Sequence, residues 1–193
     1  YCYACFRILT KISSLENVRQ SLFKTFSEDT ILTLFYTLLD KYKTNSLLIS
    51  RVCYVFSDFA SHETSLIKAA AKITEPYGIS VISNAINTKE IIENTDNAMT
   101  LLLQVVANLS VDKECASLLS FGDTISNLFP GRTFKEDDKL GYNLLCIASN
   151  FTFHNHYWSP KNLIESIPVA IISKHIPSII EALRTLCNLA LVP

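Results

Sequence analysis

Glycine and proline are scarce in this chain, at four and six among 193 residues. Tight turns draw on those two residues to reach special backbone angles, so a loop-rich all-β protein is excluded. Charge is scarce as well. Charged residues make up 18% of the chain, below the roughly 25% of an average soluble domain. The net charge is −1, and so small a sum provides no field to draw in nucleic acid or a membrane surface. Apolar runs such as "LLLQVVANL" at 101–109 fall far short of the roughly 20 residues a membrane-spanning helix needs. The sequence has no G-x-S-x-G, no glycine-rich phosphate loop and no H-E-x-x-H. Scattered Ser, His and Asp show no spacing that joins them into a triad. The expectation is a non-enzymatic chain with no cofactor, no metal, no small-molecule substrate, no nucleic-acid partner and no membrane.

What the chain does have is apolar content, 49% of its residues, and six cysteines. Of the cysteines at 2, 5, 53, 115, 146 and 187, five sit inside apolar helical runs, where a free thiol behaves as a small buried hydrophobe. A disulfide framework belongs to small loop-rich secreted chains, so a reducing cytoplasmic setting is expected. "CYAC" at 2–5 is a lone C-x-x-C with no second pair, and zinc wants four ligands. The chain opens at Tyr1 without a signal-peptide pattern and closes on "NLALVP". Both ends read as cuts through a longer protein.

A repeat runs through the chain. Aligning on the asparagine of "VVANLS" gives a ladder at Lys11, Asp58, Asn108, Asn150 and Asn188, with intervals of 47, 50, 42 and 38 residues. Periods near 40 to 47 residues point to helical solenoids of the armadillo or HEAT kind. "FRILTKIS", "CYVFSDFA", "LQVVANLS", "LCIASNFT" and "RTLCNLA" each place an apolar residue after the ladder position. Others recur three and four residues before it, the spacing of one helix face.

Two shorter helical patterns separate successive ladder helices. The first pair reads 16–26 and 31–42, with Asp29 or Thr30 as N-cap. Later pairs are 62–73 with 79–92, and 112–121 with 123–129. The last is 159–166 with 169–175, where Pro168 is expected to open a helix. Gly78 and Gly122 fall between paired helices and suit sharp turns. Three helices per repeat, the last the most apolar, is the armadillo arrangement. The expected fold is all-α, an armadillo-type right-handed α-solenoid of about four repeats plus partial ends. It forms one domain over 1–193, with repeats near 1–42, 43–92, 93–134 and 135–175 and a partial one at 176–193. Single units of this kind cannot bury their apolar faces, so neighbours must stack.

The third helices of such repeats line a concave groove. Asn108, Asn150 and Asn188 are therefore expected to face it, since an amide offers both a donor and an acceptor to the backbone of an extended segment. Asp58, Gln104 and Arg184 belong to the same expected surface. The alternative reading is that these asparagines bond a neighbouring repeat's backbone. Positions one turn earlier are Arg7, Tyr54, Gln104, Cys146 and Arg184. None is the tryptophan that importin-type grooves use, so a receptor for nuclear-localisation signals is not expected. The one tryptophan, Trp158, closes "FHNHYW". His154, His156, Tyr157 and Trp158 form a candidate loop contact, because Tyr and Trp offer apolar area with a polar tip. "NLS" at 108 and "NFT" at 150 match the glycosylation pattern but lie on helices meant for close stacking.

"FRILTKISSLENVRQSL", "RVCYVFSDFAS", "LLLQVVANLSVDKECASLLS", "LGYNLLCIASNFTFHNHYW" and "IIEALRTLCNLA" follow in this order. Together they resemble the repeat array of the armadillo repeat-containing protein 2 family, which is tied to cilia and flagella. Asp58 departs from that family's asparagine. The resemblance implies a scaffold or adaptor in axoneme assembly, located in the cytoplasm and in the cytoskeleton of the cilium or flagellum. Its implied partners are axonemal proteins or intraflagellar-transport cargo, with links to radial-spoke delivery and central-pair integrity. A purely architectural solenoid, wedged in a larger assembly through edges and loops, is the alternative.

Overall fold

A computed structural model describes residues 2–73, 78–88, 91, 95–119, 124–154 and 161–191. The described residues form eleven α-helices and no strand, so the chain is all-α. In order these are α1 (Cys2–Ile12), α2 (Glu16–Thr25), α3 (Glu28–Lys41), α4 (Ser46–His62), α5 (Thr64–Ala70) and α6 (Ser80–Ile86). They continue with α7 (Thr100–Leu109), α8 (Lys113–Leu118), α9 (Lys139–Phe153), α10 (Lys161–Ile172) and α11 (Ile176–Ala190). A π-turn over Thr95–Met99 leads into α7, and a short 3-10 turn occupies Ser126–Leu128. No helix among the described residues is long and apolar enough to cross a membrane.

Polar side chains set where several helices begin. Asn45 accepts from the Leu48 amide at 3.0 Å, and Asp112 accepts from those of Glu114 and Cys115 at 2.9 and 3.0 Å. Each satisfies a backbone donor that the first helical turn leaves without a partner. Two expectations about boundaries are corrected. The cap of α3 is Ser27, whose hydroxyl accepts from the Thr30 amide at 3.3 Å, while Glu28 and Asp29 form the first turn. There they complement the helix dipole instead of capping it. Pro168 lies inside α10 rather than at a helix start. The carbonyl it leaves without an amide partner belongs to Ile164, which is 56% exposed, so water can satisfy it and the helix continues.

The chain divides into two compact units, Tyr1–Ser120 and Phe121–Pro193. In the first, α1 packs on α4 and α4 packs on α7, while α3 packs on α4, α5 and α6. The core is aromatic where α3 meets α4. Phe35 stacks on Phe56 with ring centroids 4.6 Å apart, and Tyr36 meets Phe56 edge-on at 6.0 Å. Phe59 joins Phe35 at 5.9 Å and Phe23 of α2 at 5.6 Å. Aliphatic side chains of α7, among them Leu102, Leu103, Val105 and Val106, are fully buried. In the second unit α9 and α10 both pack on α11, burying Leu144, Leu145, Ile147, Leu163, Ala170 and Ala182.

Cys5, Cys53, Cys115, Cys146 and Cys187 are free thiols. Burial pushes the Cys53 thiol well above its ordinary range, and burial with the nearby Asp112 carboxylate pushes Cys115 up to about 12. Cys5 and Cys187 are exposed. Because the thiolate is the reacting species, peptide mapping after brief treatment with Ellman's reagent should find Cys5 and Cys187 labelled. Cys53 and Cys115 should label only after unfolding.

Candidate functional site

The ladder helices present an outward stripe that recurs every two turns. On α4, Leu47, Tyr54 and Ser61 are exposed, with Arg51 and Asp58 half-buried between them. Running through the π-turn, α7 and the residues after it, Asn97, Gln104 and Val111 are exposed, with Leu101 and Asn108 half-buried between them. Seven residues make two helical turns to within about 20°, so each triplet shares one face. The two helices pack against each other, which sets Tyr54 and Gln104 at equivalent places on adjacent helices. Tyr54 is 41% exposed. In the second unit, α9 carries Lys139, Tyr142, Cys146, Asn150 and Phe153 along its own stripe, and Arg184 and Asn188 hold the equivalent places on α11.

The expectation that the ladder asparagines offer both halves of the amide to a bound segment is corrected for two of them. Asn108 donates from Nδ2 to the Ser57 carbonyl at 3.0 Å and lies 3.1 Å from the Ser57 hydroxyl. Asn188 donates from Nδ2 to the Ser149 carbonyl at 3.0 Å, with Thr152 Oγ1 at 3.2 Å. Each bond reaches back to the preceding ladder helix, at the residue just before its ladder position. A half-buried amide donor without a partner would cost about 1–3 kcal/mol, and the neighbouring backbone supplies the nearest acceptor. For these nitrogens the bond runs to the neighbouring ladder helix, as the alternative reading expected. Asn150 occupies the equivalent place on α9, half-buried, and is not without a partner.

The hydroxyls that complete these bonds, those of Ser57 and Thr152, have no counterpart among the expected site residues, although each lies within two residues of a ladder position. Buried hydroxyls beside a recurring amide are the signal that would have found them.

The other expected residues are distributed as follows. Asp58 is half-buried, with Oδ1 3.8 Å from His62 Nδ1. Its Oδ2 is buried without a hydrogen-bond partner. His62 Nδ1 lies 2.8 Å from the Asp58 carbonyl and 2.9 Å from the Ser61 hydroxyl. Arg184 is exposed but held by Glu181, with Nη1 2.8 and 3.1 Å from its two carboxylate oxygens. Burial and the adjacent Cys146 push the Tyr142 hydroxyl up to about 12, and burial pushes Cys146 up to about 11. Neither ionises at neutral pH. His154 caps the end of α9, its ring 5.2 Å from that of Phe153. His156, Tyr157 and Trp158 lie outside the described residues, so their loop contact has no geometry to report.

A tighter arrangement stands before α9. Asp138 caps the helix through Oδ1, which accepts from the Gly141 amide at 2.9 Å. Its Oδ2 accepts from the Thr133 and Phe134 amides at 2.8 and 3.0 Å, and Arg132 Nη1 lies 3.6 Å from Oδ1. Burial works against the charged carboxylate. The three backbone donors and Arg132 nevertheless hold Asp138 below its ordinary value. Phe134, fully buried, takes a positive φ of 54°.

Among the described residues no three His, Cys, Asp or Glu side chains come together as a metal site. Comparison with known families and with curated proteins yields no family model that matches the chain and no curated protein that matches it.

Proposed function

We propose that this chain is a non-enzymatic binding scaffold of the armadillo type, docking a protein partner across the outward stripe of its ladder helices. The observation that carries this reading is the pairing of Tyr54 and Gln104. They are exposed at equivalent positions of two helices that pack side by side. A phenol and a primary amide combine contact area with hydrogen-bonding capacity. Inward-directed amides such as Asn108 hold the helices beneath them. The resemblance to the ciliary armadillo-repeat family supports a setting in axoneme assembly, with an axonemal or intraflagellar-transport protein as the partner.

The variant that tests this is Tyr54→Ala with Gln104→Ala, since both side chains are outside the core. Asn108→Ala is less suitable: losing its inter-helix bond removes about 1 kcal/mol of stability and confuses folding with binding. The double variant should keep wild-type circular dichroism and thermal midpoint but lose recovery of axonemal proteins from a flagellar extract. Undiminished recovery would remove the stripe from the account. A tagged chain that stays out of the cilium in ciliated cells would remove the ciliary setting while leaving the stripe standing.

A further inference from the structure

The outward face of the first unit carries charge of mostly one sign. On the ladder, Arg7 of α1 holds the place of Tyr54 and Gln104, and Lys11 the place of Asp58 and Asn108. Because α1 packs on α4, both cations border the α4 stripe, where Arg51 stands one turn before Tyr54. Arg7 and Lys11 are exposed, and Arg51 is half-buried. None of these cations has an ion pair or a side-chain hydrogen bond among the described residues. The Nε of Arg51 is buried without a partner. Asp58 is the one carboxylate on the stripes of α1, α4 and α7, and its Oδ1 faces His62 Nδ1 at 3.8 Å. The cations Arg7, Lys11 and Arg51 therefore outnumber the acids on this face, in a chain whose net charge is −1.

We propose that this face receives an acidic segment of a protein partner, with Arg51 taking one of its carboxylates. The inference rests on the stripe as the docking surface and names the chemistry of what docks there. Three observations select that occupant. A half-buried guanidinium has lost part of its hydration without gaining an acceptor, and an arriving carboxylate supplies one in the paired geometry that a guanidinium fits. Arg51 also lies seven residues before the level of Lys11 on the ladder, about 10 Å along a helix, and on the neighbouring helix. One small anion cannot meet both, whereas a chain bearing several carboxylates can. Nucleic acid is held through many phosphate contacts, and anionic lipid through clusters of about 4–8 Lys or Arg. A few cations set beside a phenol and a primary amide suit a polypeptide instead.

The test is fluorescence anisotropy with the whole 193-residue chain and a labelled peptide of alternating Glu and Ala as the probe. The peptide should bind, and more weakly as salt rises. A Gln-Ala peptide of the same length should not bind. Arg51→Gln should weaken binding about tenfold, more than the exposed Arg7→Gln, because a half-buried charge is screened less. Should Arg51→Gln fail to fold by circular dichroism, Arg7→Gln with Lys11→Gln carries the test, since both positions are exposed, and should weaken binding about fivefold. The proposal is overturned if the Gln-Ala peptide binds equally well, or if neither peptide binds. It is also overturned if inorganic phosphate alone displaces the probe at equal charge concentration, which would mark a site for a free anion. Tighter binding of an oligothymidylate than of the Glu-Ala peptide would overturn it in favour of nucleic acid. Recovery from the flagellar extract separates this inference from the stripe. Loss with Tyr54→Ala, Gln104→Ala but not with Arg51→Gln would overturn the acidic partner and leave the stripe standing. Full recovery with both would remove the stripe itself.

Discussion

Phe56→Ala is expected to cost about 4 kcal/mol, within the range for emptying a large buried aromatic site. The ring is fully buried in α4 and touches two others, stacked on Phe35 at 4.6 Å and edge-on to Tyr36 at 6.0 Å. Removing it forfeits the transfer free energy of the ring and leaves a void that the α3–α4 contact cannot collapse into. It also forfeits two aromatic pairings, each worth about 0.5–1.5 kcal/mol. Domains of ordinary stability hold about 5–15 kcal/mol in total, so this one change removes a large share. Urea denaturation followed by far-UV circular dichroism should show a lowered midpoint for the unit containing α4. Phe56→Leu keeps most of the volume and should lose much less. If both variants unfold at the wild-type midpoint, the aromatic cluster is not what joins α3 to α4.

The second large effect is expected at Asp138. Its carboxylate satisfies three backbone amides, those of Thr133, Phe134 and Gly141. Asp138→Ala removes a helix cap, worth about 0.5–2 kcal/mol, and strands two further donors, so a loss on the order of 3 kcal/mol is expected. Gly141 belongs to the same knot. A Cβ there would come within 2.6 Å of Asp138 Oδ2 and 3.0 Å of the buried Phe134 ring, so Gly141→Ala should destabilise the second unit by driving the carboxylate off its donors.

The pH dependence has a definite sign. The folded-state value of Asp138 lies below its ordinary 3.8, so the unfolded chain takes up the proton first on acidification. The stabilisation is complete at pH values above that ordinary value. It drains away as the pH falls below it toward the folded-state value. Melting temperatures recorded between neutral pH and strong acid should fall for the wild type, with part of that fall missing in Asp138→Ala. Parallel curves would show that the carboxylate carries no linked proton.

The helices were legible because their signal is local. Alternation of buried and exposed residues within α3, α4, α7 and α9 is written in the spacing of Leu, Ile, Val and Phe, and a burial pattern of that kind needs no knowledge of what lies opposite. Pro168 was misread because its rule is statistical. Proline favours a first turn, yet an exposed helix face tolerates one further in when water can reach the stranded carbonyl. The cap at Ser27 was missed because Asp29 and Thr30 are equally good capping residues, and only the backbone distinguishes a cap from a first-turn carboxylate. The knot at Asp138 was visible only as a loop, since nothing in "PGRTFKEDD" says that one aspartate will gather amides from both directions.

At the candidate site the direction of two amides was not legible. Asn108 and Asn188 find acceptors 51 and 39 residues back along the chain, and no local pattern reveals which way an amide turns across such a gap. Tyr54 and Gln104 emerge as the outward members because they stand one turn earlier, where nothing on the neighbouring helix claims them.

The direction of those amides bears on recognition itself. A surface laid over helices clamped by internal hydrogen bonds loses little freedom when a partner arrives, so little of the contact energy is consumed in ordering it. In the proposed docking role, Asn108 would contribute mechanical stiffness rather than a direct grip.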